Sequence, residues 1–174
     1  MQDRSNIFIT RNYDSYFSIS EAIHESGFSY ECPVLKNEII EANRLISEKL
    51  QLPIATKICS FRKLRIVEGW PMCIEQIYVD AKSVPDLPKT DMTDLSFYSW
   101  CKDKYGYSVT KSIEEIKVVM ASDEEAKLLM INPRDEVMML DGVSYVEKYR
   151  PFEYYQIISI PGFYRFRSVN NNGQ

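Results

Sequence analysis

The sequence predicts an α+β domain in which an antiparallel sheet carries separately placed helices. Two pairs of extended runs, 58–67 with 72–79 and 137–146 with 152–160, are each separated by a short turn and predict two hairpins. Helical patterns do not alternate regularly with these strands, which disfavours a doubly wound parallel sheet. The chain has 12 Tyr and 8 Phe but only 6 Gly. This composition suits a sheet with a packed face better than a glycine loop that cradles phosphate.

The hairpins are accompanied by four predicted helices. An oxygen-bearing cap at Ser18, with a Glu three residues later, opens the first, and Gly27 ends it. Apolar residues spaced three or four apart predict an amphipathic helix over 39–50. Another is expected over 94–105, and a second capping box opens the last over 122–130. We expect the remaining runs, 28–35 and 109–120, to be strands, with the proline of the former suggesting an edge position.

Length, charge and residue usage limit the possible functions. The 174 residues suit one domain, which we place at 16–168 between an arm at 1–15 and a polar tail at 169–174. The formal charge of −4 argues against a free-standing nucleic-acid binder. One His and four dispersed Cys disfavour a His/Cys metal site, and we expect the cysteines to be buried thiols. Without a long apolar run or a secretory pattern, the chain is predicted to be cytoplasmic.

A pair of cations on the first hairpin is a candidate binding element. Lys63 and Arg65 stand at i and i+2 of a strand, so both project to one face. That face is either a solvated charged surface or a clamp for phosphate or carboxylate. A strict two-residue loop would turn Glu75 away from them, whereas a longer loop or a bulge would place all three together. Because Pro71 offers no ladder N–H, we predict the shared face.

Other polar candidates stand in apolar runs or at predicted helix starts. They are Glu75, Glu153, Ser96, Tyr98, Ser18 and Ser20. Each glutamate either faces outward or is a buried acid that binds hydroxyls or amines. The hydroxyl groups of Ser96 and Tyr98 either bind a polar ligand, or Ser96 caps a helix and the Tyr98 side chain packs on the sheet. The two serines near the first helix start are caps or anion contacts.

Nothing in the sequence has the spacing typical of an enzyme site. The one histidine, His24, has polar neighbours, and no serine has a visible base and orienting group. No metal or other cofactor is predicted.

Seven short motifs follow one another in a characteristic order. They are Phe61-Arg62-Lys63-Leu64-Arg65, Gly69-Trp70-Pro71-Met72-Cys73-Ile74-Glu75, Ser96-Phe97-Tyr98, Tyr105-Gly106, Glu124-Glu125-Ala126, Pro151-Phe152-Glu153-Tyr154 and Tyr164-Arg165-Phe166. Together they resemble the UTRA domain, the effector-binding domain of GntR-type transcriptional regulators of the HutC subfamily. The resemblance covers residues 16–166.

The resemblance implies a chorismate-lyase-like fold, in which helices pack on an antiparallel sheet with a ligand pocket between them. It implies a non-enzymatic sensor of a small anionic metabolite, a phosphosugar or an organic acid. The ligand would modulate operator binding by a winged helix-turn-helix domain that the sequence does not contain. A homodimer is expected, because operator reading uses two-fold symmetry.

The resemblance also assigns ligand contacts by motif position. The matching residues are Ser18, Ser20, Lys63, Arg65, Glu75, Ser96, Tyr98 and Glu153. The basic pair matches the family's contacts to the effector's anionic group, although Lys63 replaces the usual Arg and loses its bidentate geometry. The stretch 159–163 lacks a tyrosine and an aspartate that family members often carry, so the ligand's identity stays open.

Two other functions compete with the sensor. One is a chorismate-lyase-type enzyme that cleaves pyruvate from an aromatic acid on the same fold. The other is a ligand-free dimerisation module, for which a pocket closed by side chains, with Arg65 paired only to an internal acid, would argue.

Overall fold

The computed structural model describes residues 3–12, 18–147 and 150–168. Its nine described strands are Ile9–Asn12 (β1), Tyr30–Glu31 (β2), Val34–Glu41 (β3), Lys57–Val67 (β4), Trp70–Asp80 (β5), Val109–Met120 (β6), Glu136–Val146 (β7), Arg150–Ser159 (β8) and Tyr164–Arg167 (β9). Its four described α-helices are Ile19–Glu25 (α1), Arg44–Leu50 (α2), Phe97–Tyr105 (α3) and Asp123–Leu129 (α4). None of these helices has the length and apolar character that a membrane crossing requires.

Seven of the strands form one antiparallel sheet. Its order is β2-β4-β5-β8-β7-β6, and β3 pairs with β4 as well. Both predicted hairpins are present, as β4–β5 and β7–β8. The α+β prediction is therefore confirmed. Strands β1 and β9 form a separate parallel pair.

Helices cover both faces of this sheet. On the inner face, Ile23 of α1 and Phe97 of α3 join the main core with Phe61 and Ile77. On the outer face, α2 packs in a smaller cluster with Ile58, Val143 and Tyr154. All four cysteines are free and buried, as expected. The inner face and its helices enclose the site described below.

Helix ends follow the capping patterns in the sequence. The Ser18 side chain accepts a hydrogen bond from the Glu21 amide, and Gly27 follows α1 at a φ of 75°. At α4, Ser122 and Glu125 form the reciprocal capping box. Helix α3 begins later than predicted, because Ser96 rather than an earlier residue caps it. These helix ends depend on hydrogen bonds between residues close together in the chain, so the local sequence suffices to predict them.

The predicted helix over 39–50 is wrong in its first half. Residues 39–41 belong to β3, where Ile39 pairs with Cys59 and Ile40 with Ile58. Asn43 then caps α2 by accepting a hydrogen bond from the Ile46 amide at 2.9 Å. The apolar residues of this segment fit helical spacing, yet its first residues lie in a strand that pairs with β4. Pairing with a distant strand overrides local propensity at this point.

The described part of the predicted arm packs into the domain. Ile7 and Ile9 are buried in the main core, and Ile9 of β1 pairs with Tyr164 of β9. A four-residue strand carries too short a pattern to be recognised without its partner. Residues 13–17 and the predicted tail at 169–174 lie outside the described residues.

Replacing Ile9 by Ala tests whether β1 belongs to the folded domain. Ile9 is fully buried, so we expect the free energy of unfolding to fall by about 2–4 kcal/mol. Its neighbour Thr10 is exposed on the same strand, and Thr10→Ala should change stability by less than about 0.5 kcal/mol. Urea denaturation measures both, and equal effects of the two substitutions would mean that β1 is a loosely attached arm.

Candidate functional site

A small polar cavity lies between the inner face of the sheet and the starts of α1 and α3. Its volume is about 30 Å³. That is room for about two water molecules. Two arginines and two glutamates lie in its wall. The lining residues are Arg11, Ser18, Ile19, Ser20, Arg65, Glu75, Ser96, Phe97, Tyr98, Glu114, Tyr155 and Ile157.

A β-bulge brings the predicted acid to the predicted basic pair. Val67 pairs with Trp70, but the register shifts between Arg65 and Ile66, which leaves Met72 without a partner in β4. Glu75 therefore stands opposite Lys63 instead of pointing away. The predicted shared face is confirmed, and the bulge produces it without a longer loop.

Arg65 is a buried cation that is already partly paired. Its Nη2 donates to Glu75 Oε2 at 2.9 Å, and its Nη1 donates to Ser20 Oγ at 3.0 Å. Burial lowers the pKa of Arg65, but the neighbouring Glu75 carboxylate more than compensates, so the pKa lies above its usual value. Its Nε is buried and has no hydrogen-bond partner among the described residues. With Arg65 only 4% exposed, the solvated-surface alternative is wrong.

Lys63 lies on the same face but not in the cavity wall. Its Nζ donates to the Leu95 carbonyl at 2.8 Å, just before the Ser96 cap of α3. Burial lowers the pKa of Lys63. The lysine thus tethers the start of α3, and its predicted contact with the ligand stays a prediction.

Helix α3 presents hydroxyl groups to the cavity. Ser96 accepts a hydrogen bond from the Ser99 amide at 3.4 Å and also lines the cavity, so both of its predicted roles are compatible. The Tyr98 hydroxyl donates to Glu153 and lies 3.1 Å from Ser144 Oγ. Glu153 is therefore behind Tyr98 and does not line the cavity.

The Glu153 side chain is a buried acid, as one of its two predicted alternatives requires. Only 1% of the residue is exposed. Burial raises the pKa of its carboxyl to about 8, although the hydrogen bond from Tyr98 acts in the opposite direction. Near neutral pH the carboxyl is mainly protonated.

Three polar residues that the sequence did not single out also lie in the wall, namely Arg11, Glu114 and Tyr155. The Arg11 guanidinium of β1 pairs with Glu114 of β6, and the Tyr155 hydroxyl donates to the same carboxylate. Glu114, Gly142 and Tyr155 stand side by side on β6, β7 and β8. A Cβ atom on Gly142 would lie 2.5 Å from Tyr155 Cζ, so glycine allows the ring to cross β7 and reach Glu114.

The wall residues that the sequence analysis missed differ in how clearly the sequence indicates their position. Ile7, Ile9 and Arg11 stand at every second position, so strand parity could have placed Arg11 on the same face as the two isoleucines. Glu114 stands next to Glu115, and their pattern does not say which acid faces inward. Within the described ranges, no group of three His, Cys, Asp or Glu residues is arranged to hold a metal ion.

The elevated pKa of Glu153 predicts a specific pH dependence. Above the ordinary carboxyl pKa, the folded protein keeps a proton that the unfolded chain has released. The contribution of Glu153 to stability must then fall as pH rises from about 5 to 8 and level off above that. The Glu153→Gln protein lacks this contribution, so the wild type should lose stability relative to it over that interval. Urea denaturation at stepped pH measures the difference, and parallel curves would contradict the assignment.

Gly142→Ala tests the close approach of Tyr155. The new methyl group would overlap the tyrosine ring, so we expect a loss of about 1–3 kcal/mol in the free energy of unfolding. In a Tyr155→Leu background the ring is absent, and the same substitution should cost less. Equal costs in both backgrounds would show that the ring is not the cause.

Comparison with known proteins assigns a family to this fold and cavity. The sequence profile of the UTRA domain matches residues 25–161. The regulator YurK of Bacillus subtilis, described as an uncharacterized HTH-type transcriptional regulator, is 23% identical over 132 residues, which are 76% of this chain and 54% of that protein. The repressor MngR of the mannosyl-D-glycerate transport/metabolism system of Escherichia coli is 24% identical over 145 residues, 82% of this chain and 60% of that protein. This chain thus spans little more than half the length of these relatives.

A solved structure shows the same fold. The effector domain of PhnF from Mycobacterium smegmatis superposes with a TM-score of 0.85 at 19% identity, covering 94% of this chain and 99% of that one. The fold is chorismate-lyase-like, as the resemblance implied. The match of the profile to most of the chain is decisive: this protein belongs to the UTRA domain family, the effector-binding domains of GntR-family transcriptional regulators.

Proposed function

We propose that this domain senses a small anionic metabolite, a phosphosugar or an organic acid, in the cavity beside Arg65. The observation that carries the proposal is the state of this arginine. It is buried and charged, and its Nε is a hydrogen-bond donor without a partner among the described residues. Phosphate and carboxylate groups match a guanidinium in charge and geometry. Hydroxyl groups of Ser18, Ser20 and Ser96 lie in the same wall and add polar contacts.

The remainder of the ligand would contact the other polar groups of the cavity. Glu75 accepts hydrogen bonds from hydroxyl or amine groups, and Tyr98 presents a hydroxyl whose position the protonated Glu153 holds. Such groups select among small polar acids, because each buried donor or acceptor left unpaired is costly. Lys63 supports this selection by positioning α3 and adds positive potential from behind the wall.

We propose that ligand binding changes the affinity of the whole regulator for operator DNA. A winged helix-turn-helix domain elsewhere in the protein would bind the DNA, as a homodimer in the cytoplasm. A ligand shifts such an equilibrium only if it binds the two states of the dimer with different affinities. A coupling free energy of about 1–3 kcal/mol is typical. The family assignment favours this regulator over the chorismate-lyase-type enzyme.

Arg65→Gln tests the proposal directly. Calorimetric titration of the wild type with phosphosugars and organic acids identifies a ligand. Loss of a charged hydrogen bond, about 1.5–3 kcal/mol, should then weaken its binding by roughly 10- to 150-fold in the variant. Arg65→Lys keeps the positive charge but lacks the bidentate geometry of the guanidinium. Its affinity for the ligand should therefore lie between those of the wild type and Arg65→Gln.

Arg62→Gln is the matched control. Arg62 stands on the same strand with its side chain on the opposite face, paired with Glu124. This variant should bind the ligand as the wild type does. Circular dichroism establishes that each variant is folded. If folded Arg65→Gln bound the ligand as tightly as the wild type, the anion site would be elsewhere.

One observation favours a second candidate, a dimerisation module that binds no ligand. The cavity is small, and an internal acid already pairs with Arg65. This candidate predicts a dimer in sedimentation experiments, together with no change in thermal unfolding midpoint for any compound of the panel. A single compound that raises the midpoint in wild type but not in Arg65→Gln excludes it.

A further inference from the structure

We propose that Arg11 is a second anion-binding residue of this cavity, and that Glu114 is an internal carboxylate that occupies Arg11 until an oxyanion of the ligand replaces it. The inference rests on the proposed function and deepens it. It adds a residue outside the region 25–161 that the family profile matches. It also explains how a cavity of only about 30 Å³ could admit a metabolite.

The contact between Arg11 and Glu114 has the chemistry of ligand recognition. The Arg11 side chain is 7% exposed and lies in the cavity wall. Both carboxylate oxygens of Glu114 accept hydrogen bonds from its Nη2. A ligand carboxylate or phosphate offers the same acceptor oxygens and the same charge. The internal acid and an external oxyanion therefore compete for one guanidinium.

Glu114, unlike Glu75, has a route out of the cavity. It stands on β6, which pairs only with β7 among the described strands, and residues 111–113 and 115–118 around it are exposed. A rotation about its side-chain bonds can carry the carboxylate to solvent without moving the strand. Glu75 stands on β5 between β4 and β8, in the middle of the sheet. Of the two acids, Glu114 is the one that can leave.

Charge balance also favours an exchange of anions. Among the described residues of the wall, Arg11 and Arg65 face Glu114 and Glu75, so these four side chains together carry no net charge. An added anion would meet two carboxylates at short range. When Glu114 turns outward, the ligand's oxyanion restores the balance and uses the volume that the carboxylate occupied.

Glu114→Gln is the deciding variant, and inorganic phosphate and acetate are the probes. Without the competing carboxylate, an anion no longer has to displace Glu114 from Arg11, and we expect the variant to bind the preferred probe at least about tenfold more tightly than wild type. Comparing phosphate with acetate distinguishes a phosphorylated ligand from a carboxylic acid. Isothermal titration calorimetry and the rise of the thermal unfolding midpoint measure the affinity.

Glu115→Gln is the matched control for net charge. Glu115 is the adjacent residue, its side chain is 64% exposed, and it pairs with Lys117 outside the cavity. This variant should bind both probes as the wild type does. In the Glu114→Gln background, Arg11→Gln should abolish the gain in affinity. The inference is overturned if Glu114→Gln binds no more tightly than Glu115→Gln, or if Arg11→Gln leaves the gain intact.

Tyr155→Phe serves if Glu114→Gln is too unstable to purify. It removes the hydroxyl that donates to Glu114 while keeping the ring, so it should tighten binding in the same direction. Unchanged binding in this variant would also overturn the inference. Arg65→Gln separates the two proposals: if it abolishes binding of the identified ligand while Glu114→Gln has no effect, only the role of Arg11 is wrong. If no compound of the panel binds any of these proteins, the sensor function itself is wrong.

Discussion

The buried ion pair between Arg65 and Glu75 constrains much of this structure. A guanidinium in the core is tolerated only when an opposite charge and hydrogen-bond acceptors surround it. The bulge in β5 directs Glu75 inward, and the start of α1 supplies Ser20 as a second acceptor. Leaving one member of such a pair alone typically costs about 3–5 kcal/mol. The register of the first hairpin and the position of α1 are thus tied to the same side chain.

The same chemistry suits the anion-binding function proposed for the site. Burial holds Arg65 in place before any ligand arrives, so little conformational entropy remains to be lost on binding. The pairs Arg65–Glu75 and Arg11–Glu114 balance each other's charges in the described wall of a small cavity. Under the proposed function, a ligand would replace an internal partner rather than fill an open cleft. Such a site would discriminate through exchange, because only a group with the geometry of a carboxylate or phosphate can take the position of the internal carboxylate.

Much of the site was visible in the sequence, but residues on one face do not always reach one cavity. Strand parity and the family motifs placed Arg65 and Glu75 correctly at the wall. Lys63 shares their face, yet the Leu95 carbonyl holds its ammonium group elsewhere. Glu153 accepts a hydrogen bond from Tyr98, a residue of the wall, but itself lies one layer deeper, behind that tyrosine. Strand parity predicts only the face of the sheet on which a side chain lies. Whether the side chain reaches the cavity depends on which neighbouring groups lie between them.

Helix caps, turn glycines and both hairpins could be read from residue order, because each depends on interactions between close neighbours in the chain. Residue order did not reveal that residues 39–41 form a strand or that β1 pairs with β9. Nor did it reveal the contact between Arg11 and Glu114, which joins residues 103 positions apart. These features exist because distant segments meet once the sheet has formed. Which segments meet depends on the packing of the whole domain, and no short stretch of sequence contains that information.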